Sequence, residues 1–251
     1  MRVGKVERCR QVLRELDDWD AYLLRESGPP GPRGNMELAR AVAEEGDTLL
    51  FERYLEQDAQ KAPTNTPHEF LAFCGVLGLG RLLSEGNREV LPTLRKHGSD
   101  PRWRTREAVA MALQRWGRVD MGSLLEEMDA WSRGSLLEQR AAAAALCEPG
   151  LLTEERHARR VVEILDAITA SLPGVRNRKT DAFKTLRKGL GYCWSVAVVA
   201  SPKVGKVVME KWLASEDHDL RWIMRANLKK KRLVRIDPQW VAAWQARLDM
   251  P

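Results

Sequence analysis

The most suggestive chemistry in this sequence lies towards residue 230, where positively charged side chains recur at a helical spacing. Arg221, Arg225 and Lys229 lie four positions apart, so a helix would carry all three on one face. Such a row can bind phosphates in contacts that are independent of base sequence and weaken steeply as salt rises. It can equally be a solvated face whose cations favour a helix C-terminus. Both interpretations stay open on the sequence alone.

A second basic group, within residues 176–188, precedes this row. It would lie beside the row if the two occupied consecutive helical repeats. Trp194 and Trp222 fall among these cations, and an aromatic ring beside a cation can either stack on a nucleic-acid base or pack in the core. The sequence therefore predicts a set of candidate nucleic-acid-binding residues. They are Arg176, Arg178, Lys184, Arg187, Lys188, Trp194, Arg221, Trp222, Arg225 and Lys229.

Motifs for catalysis, cofactors and metals are not found in the sequence. The glycine-rich stretch 75–80 follows no strand and lacks the phosphate-binding fingerprints, so helix packing is the better explanation for it. The four histidines are scattered, and none has a second histidine or a cysteine at ligand spacing. The four cysteines are widely separated in apolar helical contexts, as expected of reduced core thiols. We predict no metal and no cofactor.

Composition favours a soluble, folded, cytoplasmic protein. The 251 residues are 44% apolar and 30% charged, and no apolar run approaches the roughly 20 residues that a membrane span requires. The net charge of +6 permits a polyanionic partner, although 35 acidic residues are interspersed with the 41 basic ones. A membrane partner is not expected.

The elements that must position these residues are helices, because apolar residues recur at helical spacing and no alternating strand pattern competes. Asn35 and Asp47 are candidate N-caps of the second and third helices. Predicted helices cover 6–24, 36–45, 48–60, 69–83, 88–97, 101–116, 121–131, 135–147, 153–171, 179–200, 203–214, 219–228 and 238–248. The predicted fold class is all-α.

A repeat underlies the predicted helices after residue 67. Asp100 precedes Arg106 by six positions, and Arg106 lies in a predicted helix that continues with small residues and a leucine. Weaker copies place arginines at 140, 187 and 221, at intervals of 34, 47 and 34 residues. This pattern resembles HEAT repeats, in which the turn aspartate and the helix arginine commonly bond neighbouring turns together. The resemblance implies an α-solenoid of stacked antiparallel helix pairs over residues 68–251, with residues 1–67 as an N-terminal helical cap.

A narrower resemblance concerns residues 219–232, which are similar to the closing helix of the HEAT-like DNA alkylation-repair glycosylases. Arg221, Trp222 and Arg225 carry this similarity. It implies a basic concave surface that holds alkylated duplex DNA, and a carboxylate with aromatic rings that assists loss of a cationic base. Two functions follow. We predict a non-enzymatic repeat protein that holds a protein partner or duplex DNA in a concave, partly basic groove; the alternative is a DNA alkylpurine glycosylase.

Overall fold

The structure is a computed structural model that describes residues 4–249, and within this range it contains fifteen α-helices and no strand. The all-α prediction is confirmed. The helices are α1 Lys5–Arg14, α2 Asp20–Glu26, α3 Met36–Glu45, α4 Thr48–Leu55, α5 Pro67–Ser84, α6 Leu91–His97, α7 Trp103–Gly117, α8 Met121–Trp131, α9 Leu136–Leu146, α10 Glu155–Ser171, α11 Asp181–Ala200, α12 Pro202–Leu213, α13 His218–Leu228, α14 Lys231–Ile236 and α15 Pro238–Asp249. None of the helices within residues 4–249 combines the length and the hydropathy that crossing a bilayer requires.

Local signals account for most helix boundaries. The side chain of Asn35 accepts a hydrogen bond from the Leu38 amide and that of Asp47 from the Leu50 amide, so both predicted N-caps are confirmed. The single helix predicted over 6–24 is wrong, because α1 ends at Arg14 and α2 begins at Asp20. The Trp19 indole N–H donates to the Leu13 carbonyl at 2.8 Å, which closes the first helix. Helix α14 was not predicted.

The chain divides into two compact units after Val119. The predicted boundary between residues 67 and 68 lies inside unit 1, since α5 begins at Pro67 and packs on α2, α3 and α4. The helices before Pro67 therefore share a core with α5. The outermost residues of the predicted cap and stack, 1–3 and 250–251, lie outside the described range. The division into a cap and a stack stays a prediction.

In unit 1, helices α1, α3, α5 and α7 are successive neighbours. They run in the same direction, because residues near their starts contact one another and so do residues near their ends. On α5 the predicted role of the glycine-rich stretch in packing is confirmed. A Cβ at Gly78 would lie 2.3 Å from Phe51 Cδ1, and one at Gly80 would lie 2.6 Å from Ala112 Cα. Only glycine allows α4 and α7 to approach this closely.

The predicted contact between Asp100 and Arg106 exists, but the main chain of Asp100 makes it. The Asp100 carboxylate binds Arg102 at 2.7 Å, while Arg106 donates to the Asp100 and Pro101 carbonyls at 2.5 and 2.8 Å. Arg102 is buried and also donates to the carbonyls of Gln57, Asp58 and Ala62. These bonds tie the turn before α7 to the loop that follows α4.

In unit 2 the helices contact one another as successive pairs: α8 with α9, α10 with α11, and α12 with α13. The second helices of the pairs also contact each other, α9 with α11 and α11 with α13. On α11 and α13, Gly191 faces Trp222 and Ser195 faces Asn227, so these two helices run in the same direction. On α9 and α11, Arg140 faces Gly189 and Ala143 faces Cys193, so α9 also runs in this direction. Stacked helix pairs would give this order of contacts. The HEAT resemblance and the solenoid arrangement stay predictions.

Candidate nucleic-acid interface

The candidate site is built on the contact between α11 and α13, which a buried amide holds in place. Asn227 Oδ1 accepts a hydrogen bond from the Ser195 amide at 2.8 Å, and Nδ2 donates to the Leu190 and Ile223 carbonyls, each at 2.8 Å. Beside it, Gly191 leaves room for Trp222, whose Cζ3 would lie 3.1 Å from a Cβ at that position. These contacts fix how α11 packs on α13, and therefore which exposed side chains of the two helices lie near one another.

Two of the predicted cations are ion-paired to the start of α13. Arg178 Nη1 lies 2.8 Å from an oxygen of Asp217 and 3.1 Å from one of Asp219, and Arg187 Nε lies 2.9 Å from the other Asp219 oxygen. Burial raises the pKa of Asp217, but hydrogen bonds from Arg178 and from the Leu220 and Asp219 amides outweigh burial and hold it below its usual value. These arginines join α13 to α11 and to the loop before α11.

Arg221 does not bind the side chain of Asp217 or Asp219, as an arginine at this position of a HEAT-like repeat would. Arg221 and Arg225 both donate to the Leu248 carbonyl in the last turn of α15, Arg221 at 3.2 Å. Their four-residue spacing does place them on one face of α13, as predicted. That face meets a carbonyl at a helix C-terminus, where cations are stabilised by the unpaired carbonyls and the helix dipole.

The other predicted cations are exposed, and two of them lie on one face of α11. Lys184, Lys188 and Tyr192 follow one another at intervals of four and are exposed. Lys184 has an exposed partner, Asp181, at 3.5 Å. Within residues 4–249, Lys188 makes no ion pair, and neither does the exposed Lys229 that follows α13. Arg176, in the loop before α11, is exposed as well.

Tyr192 was not among the predicted site residues, although the spacing of Lys184, Lys188 and Tyr192 could have indicated it. Its side chain is held by the segment around the start of α14. Arg232 Nη2 donates to the Tyr192 hydroxyl at 2.8 Å, with the guanidinium 4.6 Å from the ring centroid. The Lys230 ammonium lies 5.7 Å from the same centroid. The ring remains 41% exposed.

The two candidate tryptophans have opposite environments. Trp194 is fully buried, and its indole N–H donates to Thr169 Oγ1 at 3.0 Å, so the prediction that it contacts nucleic acid is wrong. Its indole satisfies a buried hydroxyl between α10 and α11. Trp222 is 40% exposed, and the Arg187 guanidinium lies 4.1 Å from its ring centroid. Of these two tryptophans, only Trp222 is exposed enough to contact a ligand.

Lys184, Lys188, Tyr192, Trp222, Lys229, Lys230 and Arg232 are called the basic surface below. They lie on or directly beside α11, α13 and α14, which contact one another. Residues 176–235 contain sixteen lysines and arginines against five aspartates and glutamates. Because Asp217 and Asp219 are already bound to Arg178 and Arg187, the remaining cations give this surface an excess of positive charge.

Other kinds of site have less support. Among the described residues, no group of three or more histidine, cysteine, aspartate or glutamate side chains could hold a metal ion. All four cysteines are free thiols, three of them buried. Burial raises the pKa of the Cys74 thiol well above its usual value, which makes the reactive thiolate scarce.

Comparisons with family models, with curated proteins and with solved structures found no match to this chain.

Proposed function

We propose that this protein is a non-enzymatic binding protein of stacked HEAT-like helix pairs, and that its basic surface holds the phosphate backbone of nucleic acid. The observation that carries the proposal is the arrangement of cations on α11 and α13. Arg178 and Arg187 are neutralised inside the unit, whereas Lys188 and Lys229 are exposed and make no ion pair within residues 4–249. Lysines that are exposed and unpaired in this way can bind an external phosphate without breaking an internal ion pair.

Lysines of this kind bind phosphates as point charges and release condensed counterions. Affinity should therefore fall as salt rises, and base sequence should matter little. An acidic protein could use the same charges, and that partner is one outcome of the test below.

The test is binding of a fluorescently labelled duplex of mixed sequence, followed by anisotropy across a salt series. We expect measurable binding with a marked inverse salt dependence. The double variant Lys188→Glu with Lys229→Glu should weaken binding at least about ten-fold and lower the salt slope by about 2, since each lysine–phosphate contact contributes about 1.

The matched control reverses two exposed lysines of unit 1, Lys61→Glu with Lys96→Glu, and changes the net charge by the same amount. It should retain most of the affinity. Equal weakening by both double variants would show that only net charge matters and would contradict a defined surface. Salt-insensitive binding, or no binding of either this duplex or a single strand, would overturn the proposal and leave a protein partner as the better hypothesis.

We do not propose that the protein excises bases from DNA. The carboxylate nearest Trp222 in sequence, Asp219, is bound by both Arg178 and Arg187. A carboxylate neutralised in this way is a poor stabiliser of a departing cationic base. Release of a methylated purine from DNA by the purified protein would contradict the non-enzymatic part of the proposal.

A further inference from the structure

The basic surface contains two aromatic rings that a purely electrostatic contact would not need. Trp222 is 40% exposed and Tyr192 is 41% exposed, and they lie on or beside the helix contact at Gly191. Duplex nucleic acid presents phosphates outward and keeps the faces of its bases inside the stack. Against such a ligand the lysines alone would contribute.

Each ring is also held in place from one side. Arg187 lies 4.1 Å from the Trp222 ring centroid and is itself anchored by Asp219 at 2.9 Å. Arg232 lies 4.6 Å from the Tyr192 ring centroid and bonds its hydroxyl. A cation over one face of a ring stabilises that ring's position. Little side-chain freedom is then lost when a planar group stacks on the exposed part.

We infer that the basic surface takes single-stranded nucleic acid in preference to duplex, with unpaired bases stacking on Trp222 and Tyr192 while Lys184, Lys188 and Lys229 contact phosphates. This inference rests on the proposed function and specifies its ligand. Stacking on aromatic side chains is tolerant of sequence because every base has a flat face. Packed helices lie about 8–10 Å apart, so a short single-stranded segment spans α11 and α13.

The experiment compares a labelled oligothymidine of about 20 nucleotides with a mixed-sequence duplex of about 20 base pairs, at one salt concentration. The native chain should bind the single strand more tightly. Trp222→Ala and Tyr192→Ala should each weaken single-strand binding by about ten-fold, the size expected from one lost base–aromatic stack, and should weaken duplex binding by a clearly smaller factor.

Trp103→Ala is the matched control, because Trp103 is 48% exposed and has the Arg104 guanidinium 4.5 Å from its ring centroid, but belongs to unit 1. It should bind the single strand like the native chain. Trp222→Phe keeps a flat ring and should restore most of the affinity. Should Trp222→Ala fail to fold, Tyr192→Ala carries the test alone, since that ring is not packed against Gly191.

The outcomes separate the two proposals. If neither ligand binds, the proposed function fails and this inference fails with it. If both bind equally and the two alanine variants bind the single strand like the native chain, the inference is overturned while the proposed function stands. Weakening by Trp103→Ala equal to that by Trp222→Ala would also overturn it.

Discussion

The two units use their charged residues in different ways. Unit 1 has 19 lysines and arginines against 18 aspartates and glutamates, while unit 2 has 22 against 17. In unit 1, arginines reach into the fold: Arg104 lies 3.0 Å from Glu69 with both side chains buried. In unit 2, buried polar contacts between helices are neutral, as at the Asn227 amide and the Trp194 indole, and cations lie on the surface.

This difference shows that burial decides what a charged side chain contributes to each unit. A buried arginine must be bonded, because an unpaired buried charge is very costly. Arg102 shows the same rule: burial raises the pKa of Asp100, but hydrogen bonds from Arg102 and His97 hold it well below its usual value. Exposed lysines meet no such requirement, so their concentration on one surface favours binding over stability as its explanation.

The largest expected effect comes from removing the buried carboxylate of unit 1. Glu69→Ala leaves Arg104 without its buried ion-pair partner and should lower the free energy of unfolding by about 3–5 kcal/mol. The measurement is urea denaturation. Glu44→Ala, which removes an exposed pair with Arg115, is the control and should cost about 0–1 kcal/mol. Equal losses would break the distinction between inward and outward charges.

A smaller effect is expected at the neutral amide of unit 2. Asn227→Ala strands the Leu190 carbonyl and removes the bond to the Ser195 amide, so the free energy of unfolding should fall by about 1–3 kcal/mol. Asn177→Ala loses only an exposed bond to the Lys179 amide and should change stability by less than about 0.5 kcal/mol. A loss at Asn227 as large as that at Glu69 would show that charge is not what distinguishes the two contacts.

The smallest expected effect is a pH dependence of stability at Glu45. Hydrogen bonds from Arg14 and Arg10 outweigh burial and lower the pKa of Glu45 to about 2 from an ordinary 4.5. The stability that this carboxylate contributes is complete above the ordinary value and is lost as pH falls towards 2. Glu45→Gln should therefore be less stable than the native chain at neutral pH, and the difference should shrink in acid. Thermal unfolding across that range measures it, with Glu37→Gln as the control; a constant difference would contradict the prediction.

Sequence reasoning succeeded where the signal is local. The caps Asn35 and Asp47 and the bounds of α8, Met121–Trp131, follow from residues only a few positions apart. It failed for α14, a short helix in which Leu233 is the only fully buried residue. One buried position gives no periodicity to detect.

For the candidate site, residue spacing predicted which side chains share a helix face, but not which groups those side chains contact. The intervals of four placed Arg221 and Arg225 on one face correctly, yet their acceptor is the Leu248 carbonyl, more than 20 positions away. Trp194 and Trp222 both lie among cations in sequence, and only the packing of α10 on α11 buries the first. Which residue faces another helix depends on non-local contacts that a single sequence does not encode in its spacing.

The glycines of α5 have a consequence for how unit 1 folds. Each glycine in a helix interior costs about 1 kcal/mol relative to alanine, so Gly75, Gly78 and Gly80 together weaken the isolated helix by about 3 kcal/mol. The close approach of Phe51 and Ala112 that these glycines permit exists only once α4 and α7 are present. Helix α5 is therefore not expected to form on its own before α4 and α7 pack against it. It should gain its structure together with them, which makes the folding of unit 1 cooperative at its centre.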